Sequence, residues 1–524
     1  MTRTQLQQQM AELNPEGYGS LLDLFNEVCT ANAAKAAFAC HGVEASFADI
    51  DQRSAAFAAY LQIDLGLKTG ERLAIQLPNI IDYPIAVWGA WRAGLVVVNT
   101  NPLYTAREQI HQFNDSGAVA LLVLDRILPV TDAVLEQTKI KHVIVSGEAG
   151  ERGFDSFNQA LKRGAAQQVE QAPLSMDSLA VLQYTGGTTG PSKGAMLSHG
   201  NLFAAMRMGR QSVKLAPEGF PEVALAPLPL YHVFGFTQHV IGTFLNGGLS
   251  VLIPNPSDID GMIKTMQNYR FSNINAVNTL LSGMMAHPDF DNIDFSNMLG
   301  TIAGGTALVK EIAEQWQART NSTIYEGYGM SETSSSATCN RKESLELGTV
   351  GPAVNYQEIK IIDGEGNSLP AGEAGEVCLR GPNIMQGYWQ REEATAETID
   401  AEGWMRTGDI GVLQDNGRLR IVDRIKDMIL VSGFNVFPNE IEEVVYSHPA
   451  IYECAAIGVP DQATGEAVKL FVVSPEPELQ ADDIISYCRE QLAAYKVPRQ
   501  IVFADDLPKS PAGKILRREL REQN

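Results

Sequence analysis

Through the first 350 residues, short apolar runs without interior charge alternate with stretches whose apolar residues recur at helical spacing. Arg72–Gln76 (RLAIQ) reads as a strand, 80–93 as a helix stopped by Gly94, and 95–98 (LVVV) as the next strand. The pattern repeats with a strand over 119–124, a helix near 128–138 and a strand over 142–146. It returns with strand 249–253 and helix 260–269, then with strand 298–303 and helix 307–319. Continuous apolar strands separated by helices predict parallel sheets covered on both faces. The expected fold class is α/β, with a large N-terminal domain of two doubly wound α/β subdomains.

After Gly351 the period changes. The runs 358–362 and 375–380 read as antiparallel strands, and 411–414 and 418–422 flank Asp415-Asn416-Gly417, a strong hairpin signal. This predicts a small β-rich subdomain. Beyond the charged run 423–427, helices over 440–446 and 481–494 alternate with strands over 455–459 and 468–473, which predicts a small α+β domain of about 100 residues. The expected division is 1–425 and 426–524.

Composition narrows the function. The chain has 524 residues, 45% of them hydrophobic, with 40 Lys+Arg against 62 Asp+Glu and a net charge of −22. That charge excludes a nucleic-acid binder and argues against a protein held on anionic lipid by bulk charge. It also requires any anionic ligand to bind against the mean field. The six cysteines (Cys29, Cys40, Cys339, Cys378, Cys454, Cys488) form no CxxC and read as reduced packing thiols of a cytoplasmic protein. The first 20 residues carry no apolar signal core. The stretch 223–257 has no Asp, Glu, Lys or Arg, but Pro227, Pro229, Gly247, Gly248 and Pro254 interrupt it, so it reads as a buried segment rather than a membrane span.

The strongest chemical signal is 184–194, YTGGTTGPSKG, directly after an apolar run. Thr185, Gly186, Gly187, Thr188, Thr189 and Gly190 can bring backbone N–H groups against phosphate oxygens, and Lys193 adds a point charge. Ser192 precedes the lysine where a Walker loop needs Gly, and the strand-like GAML (194–197) follows where that loop would open a helix. Further on, 324–333 reads IYEGYGMSET. Tyr328-Gly329 suits adenine stacking with close backbone approach, and Glu332 offers a hard oxygen to Mg²⁺. The run 404–409 is WMRTGD, 423–427 is DRIKD, 431–435 is VSGFN, and 507–520 is LPKSPAGKILRREL. The uncharged 226–236, APLPLYHVFGF, supplies aromatic wall residues and His232.

Taken together, these segments resemble the acyl- and aryl-CoA synthetase branch of the adenylate-forming enzymes, most closely bacterial long-chain fatty acid CoA ligases, from about Gly17 to the C-terminus. The resemblance implies ATP, Mg²⁺ and CoA, with an acyl-AMP intermediate that CoA converts to a thioester. It places Glu332 and Thr188 on the metal, and Gly304, Gly305 and Thr306 along the adenine and acyl pocket. Tyr328, Gly329 and Ser331 fall in the nucleotide motif, Asp409 and Arg424 on the ribose, and His232 at the mouth of the acyl site. Lys426 falls at the hinge of a mobile C-terminal domain, Gly433 on the thiol tunnel, and Lys514 between substrate carboxylate and α-phosphate. A fatty acid is the expected substrate. An aryl or other small carboxylate, or transfer to a carrier protein, are the alternatives. Peripheral contact with the inner face of the cell membrane and a homodimer stay open. Between Lys496 and Arg521, seven Lys+Arg face three Asp+Glu, which predicts a basic tail delivering cation to the site.

Overall fold

The computed structural model describes residues 3–168, 170–185, 192–217, 219–510 and 515–523, and four sheets form within them. In the first, the strands run in the order Asp155–Ser156, His142–Ser146, Ala120–Leu124, Arg72–Gln76, Val96–Asn99, Leu179–Thr185, Lys193–Ser198. The pairs are parallel up to the last, where Leu179–Thr185 and Lys193–Ser198 are antiparallel. Their Val, Leu and Ile residues are buried because helices cover both faces. Helix Asp82–Arg92 is buried from Tyr83 to Arg92, which explains why it carries apolar residues all round.

The second sheet runs Thr338–Cys339, Ile324–Tyr328, Gly300–Gly304, Asn273–Ala276, Val223–Ala226, Leu249–Leu252, Ala36–Cys40, Val43–Ser46. Both of its edge pairs are antiparallel, so the expectation of parallel pairing holds for the interior of both sheets and for one edge of the first. The strand Ala36–Cys40 comes from the N-terminal region and pairs in parallel with Leu249–Leu252, more than 200 residues later. An aromatic cluster stitches these parts together: Phe25 lies 4.4 Å from Trp88, and Phe47 lies 4.8 Å from Phe244 (ring centroids).

The β-rich segment is a four-stranded antiparallel sheet of Glu358–Ile362, Ala374–Arg380, Met405–Leu413 and Leu419–Arg424, with the expected hairpin at 414–418. The last sheet draws only on residues beyond 428. Phe434–Val436, Ile429–Val431, Gly465–Val473 and Glu453–Asp461 follow one another, and Gln500–Phe503 joins Gly465–Val473. Together these give two doubly wound α/β units, a small β unit and a small α+β unit, as the hydrophobic pattern predicts. The uncharged stretch becomes the strand Val223–Ala226, the π-helix Phe236–Thr243 and the strand Leu249–Leu252. No helix among the described residues is long and apolar enough to cross a membrane. The six cysteines are buried free thiols.

The basic tail needs correction. Its six described cations are each ion-paired: Lys496 with Glu440, Arg499 with Asp461, Lys509 with Glu453 and Asp506, Arg517 with Glu442, Arg518 with Glu522 and Arg521 with Asp427. Their charge is spent within the C-terminal unit, so they do not form a free cationic arm. The seventh, Lys514, lies outside the described residues.

One buried carboxyl has a consequence for stability. Glu326, in the strand Ile324–Tyr328, is 5% exposed, and the Gly348 N–H donates to its Oε1 at 2.9 Å. Burial pushes its pKa from 4.5 up to about 7. The folded state therefore favours the protonated form, and stability is lost as pH rises from about 4.5 through about 7. Glu326→Gln is expected to raise the thermal midpoint at pH 8 and to flatten its decline between pH 5 and 8. The recovered stability is on the order of 3 kcal/mol. Thermal scans across that pH range check it, and an unchanged slope would refute it.

Candidate active site

A single cavity of about 1440 Å³ gathers most of the residues singled out in the sequence. Its centre lies at the C-terminal ends of the parallel strands of the second sheet. There Gly304 ends one strand and Gly305 follows it, and Tyr328 ends the next, followed by Gly329, Ser331 and Glu332. The chain returns sharply after Gly329: Ser334 and Ser335 take φ of 53° and 100°, unusual for residues with a Cβ. A Cβ on Gly329 would lie 1.7 Å from the Ser335 carbonyl oxygen, so this turn requires glycine. Asn383 holds the turn from outside, donating through Nδ2 to the carbonyls of Thr333 (3.2 Å) and Ser336 (2.7 Å).

Glu332 is 4% exposed, and the Tyr388 hydroxyl donates to its Oε1 at 2.7 Å. Burial pushes the Glu332 carboxyl above its usual range, and the Tyr388 bond works against that shift. The Lys193 ammonium lies 5.1 Å from the centre of the Tyr388 ring, within cation–π reach. Tyr388 thus joins the lysine strand to the glutamate turn, and the sequence reading missed it. Its segment pairs with the lysine strand: Met196 N–H donates to Gly387 O, Gln386 N–H to Met196 O, and Trp389 N–H to Gly194 O. Met385 N–H then donates to the Glu332 carbonyl. The only sequence signal was the short Gly387-Tyr388-Trp389 run, which has no distinctive spacing.

Asp409, on the strand Met405–Leu413, is 3% exposed. The Tyr328 hydroxyl donates to Oδ2 at 2.6 Å, and Arg424 Nε donates to Oδ1 at 3.0 Å. The hairpin register sets Asp409 opposite Arg424, so antiparallel pairing brings together two motifs separated in sequence. Each carboxylate oxygen keeps further acceptor capacity for a diol. Tyr328 therefore holds the acid through its hydroxyl while its ring lines the cavity, a role beyond the stacking expected of it.

Lys426 also lines the cavity, and burial within its walls, followed by the neighbouring Arg424 cation, lowers its pKa from 10.5 to about 8. Immediately around it, Asp423 bridges to the C-terminal unit and Asp427 ties the start of that unit to its last helix. Asn439 N–H donates to Asp423 Oδ2 at 2.9 Å, and Arg521 pairs with Asp427 at 2.9 Å. Burial pushes the Asp423 carboxyl up to about 6. The charged run DRIKD is thus a junction between units.

On the apolar side, His232 caps the turn before the π-helix, its Nδ1 accepting from Phe234 N–H at 3.4 Å. A buried polar relay from the first sheet fixes that segment. Tyr83 donates to Asn99, Asn99 to Gln183, and Gln183 Nε2 to the Tyr231 carbonyl at 3.0 Å. Asn79 clamps the same run from behind, donating to the carbonyls of Ala226 and Leu228 and accepting from Leu230 N–H.

The cavity therefore collects Thr185, Lys193, His232, Gly304, Gly305, Tyr328, Gly329, Ser331, Glu332, Asp409, Arg424 and Lys426. Thr306 and Gly433 are not among its lining residues, and Gly433 sits on an exposed hairpin turn at φ 82°. Gly186, Gly187, Thr188, Thr189, Gly190 and Lys514 lie outside the described residues. Their flanks do not: Thr185 and Lys193, like Ser510 and Ile515, line the cavity.

The cavity does not stop at the strand ends. Glu222, Asn273 and Leu299, at the N-terminal ends of three parallel strands, line it as well as Leu228, Val277 and Gly304 at the other ends. A passage therefore runs the length of the strands, about 13–20 Å at the usual rise per residue. Helix His199–Val213 and the π-helix wall it.

Comparison with known proteins agrees with this geometry. Residues 25–389 match the sequence pattern described as AMP-binding enzyme, and residues 440–514 match AMP-binding enzyme C-terminal domain. A long-chain-fatty-acid–CoA ligase of Salmonella typhimurium is 42% identical over 98% of this chain and 96% of its own. Among solved structures, an anthranilate CoA ligase in complex with anthranoyl-AMP superposes with a TM-score of 0.90 at 27% identity, over 97% of both chains. A fatty acyl CoA synthetase of Mycobacterium tuberculosis gives 0.76 at 29% identity, over 96% of this chain and 98% of the other.

Proposed function

This chain belongs to the AMP-binding enzyme family, and from that premise we propose that it is an ATP-dependent, AMP-forming fatty acid CoA ligase. The observation that carries the substrate class is the passage. It joins the Asp409–Tyr328 cluster to a channel as long as the strands, walled in part by Ala205, Met206, Val213, Val277, Leu299 and Ile302, and longer than an acetate or a benzoate can fill. Each methylene buried along it contributes about 0.8 kcal/mol.

The two half-reactions follow from the placement of groups. The fatty carboxylate oxygen attacks the α-phosphorus of ATP, a P–O bond forms, and pyrophosphate leaves. The CoA thiol then gives up its proton to solvent and its sulfur attacks the acyl carbonyl carbon; a C–S bond forms, the C–O bond to the phosphate breaks, and AMP leaves. Asp409 and Arg424 are proposed to hold the ribose, with Tyr328 fixing the carboxylate so that its free lone pairs face the diol. Gly304, Gly305 and Gly329 let backbone approach the adenine closely. Thr185 to Gly190 and Lys193 are proposed to receive the phosphates, and Lys514 to bridge the fatty carboxylate and α-phosphate. His232 stands where the passage meets the nucleotide end.

Glu332 fits one ligand of a Mg²⁺ ion, being a buried hard oxygen held in place by Tyr388, and Thr188 is proposed beside it. When bound, Mg²⁺ neutralises phosphate charge. The unit 426–524 is proposed to turn about Lys426 between half-reactions, bringing Gly433 toward the thiol path, as rigid-body closures do.

The test is CoA-dependent AMP release across straight-chain acids from acetate to oleate, with benzoate included. Activity is expected to rise toward the long chains. Turnover confined to benzoate would overturn the fatty acid reading.

A further inference from the structure

Resting on the acyl reading above, we propose that Gly209 and the ion pair Arg210–Glu222 are the specificity-determining residues that set how long an acyl chain this site accepts. The face of helix His199–Val213 that lines the passage carries Met206, Gly209, Arg210 and Val213, the spacing of one helical stripe. Glycine inside a helix is less stable than alanine, because its backbone loses more freedom on folding. Such a residue normally has a packing reason. Gly89 and Gly164 have one, since a Cβ would meet Phe57 at 2.8 Å and the Ala56 carbonyl at 1.8 Å. Gly209 has none: a Cβ there meets no heavy atom of the described residues within 4 Å, and the residue borders the cavity. The room it leaves is room in the passage.

Just beyond it the passage ends on charge. Glu222 accepts from Arg210 at 3.1 Å, from Asn246 Nδ2 at 3.0 Å and from Asn273 Nδ2 at 3.1 Å, and its side chain is 12% exposed. The Arg210 side chain is 37% exposed, so an alkyl terminus that reaches this cluster leaves the apolar wall for hydrated, hydrogen-bonded charge, which is unfavourable. Arg210 and Met206 also border a second, smaller cavity, shared with Leu24 and Leu245, so Arg210 stands between two spaces. The acyl tail runs past the open flank of Gly209 and stops against Arg210 and Glu222.

The experiment compares kcat/KM for octanoate, hexadecanoate and docosanoate in the full-length protein and two variants. Gly209→Leu fills the passage and is expected to lower the hexadecanoate-to-octanoate ratio about tenfold or more. Arg210→Ala joins the two spaces and is expected to raise the docosanoate-to-hexadecanoate ratio several-fold. Should the leucine variant not fold, Gly209→Ala serves: it is expected to raise Tm, as a helix with a better former does, while lowering the hexadecanoate ratio. A lower Tm with an unchanged ratio would assign Gly209 to packing and overturn the proposal. Unchanged ratios in folded Gly209→Leu and Arg210→Ala overturn it equally. A wild-type protein that releases AMP with none of the three acids overturns the fatty acid reading itself, an outcome distinct from an unaltered length profile.

Discussion

Lys514→Ala is expected to slow acyl-AMP formation about 10²–10³-fold while leaving thioester formation from supplied acyl-AMP within a few-fold of the unmodified rate. A fixed cation aimed at charge that develops on a transferring phosphoryl group contributes about 3–4 kcal/mol to the barrier. The expectation that this lysine is the one so placed comes from the motif 507–520 and from its flanks, because Ser510 on one side and Ile515 on the other line the cavity. The other described cations of the tail cannot substitute for it, since each is already engaged with a carboxylate. The check is pyrophosphate release in the absence of CoA, set against CoA thioester formation from synthetic acyl-AMP. Equal loss in both halves would move Lys514 from the first reaction to a general structural role.

Asp409→Ala is expected to raise the KM for ATP roughly 30- to 150-fold, the equivalent of about 2–3 kcal/mol for charge-assisted hydrogen bonds. Its carboxylate is 3% exposed and already binds Tyr328 and Arg424, so it is oriented before nucleotide arrives. Removing it takes away the proposed ribose acceptor and leaves the Tyr328 hydroxyl and the Arg424 guanidinium without their carboxylate. Tyr328→Phe separates the two effects. It keeps the acceptor, loses only its tether, and should raise the same KM by a smaller factor. An unaltered KM in Asp409→Ala would remove this residue from the nucleotide site.

Much of this was legible in the chain. Strands such as His142–Ser146 and Glu358–Ile362 fall on the residues expected, because a strand's apolar run and a hairpin's Asn-Gly turn are local properties. The proposed nucleotide motifs were also visible in the chain, since each is a short run of neighbouring residues, and their described members line one cavity. The N-terminal strand Ala36–Cys40 was not, because its partner is chosen by the aromatic cluster around Phe244. The basic tail was misread for a related reason. Counting charges along the chain gives an excess, whereas folding sets each described cation against a carboxylate, often one far away in sequence.

The sequence by itself determined the α/β class, the order of the units and the candidate residues for ATP, because helix period, turn chemistry and glycine-rich loops are written in neighbouring positions. Only the tertiary structure decided that Tyr388 holds Glu332, that Tyr328 and Arg424 share Asp409, and that a passage runs beneath Gly209 to Glu222. Those contacts join residues that are distant in sequence. Hydrophobic burial, which brings them together, carries no direction that a linear pattern could record.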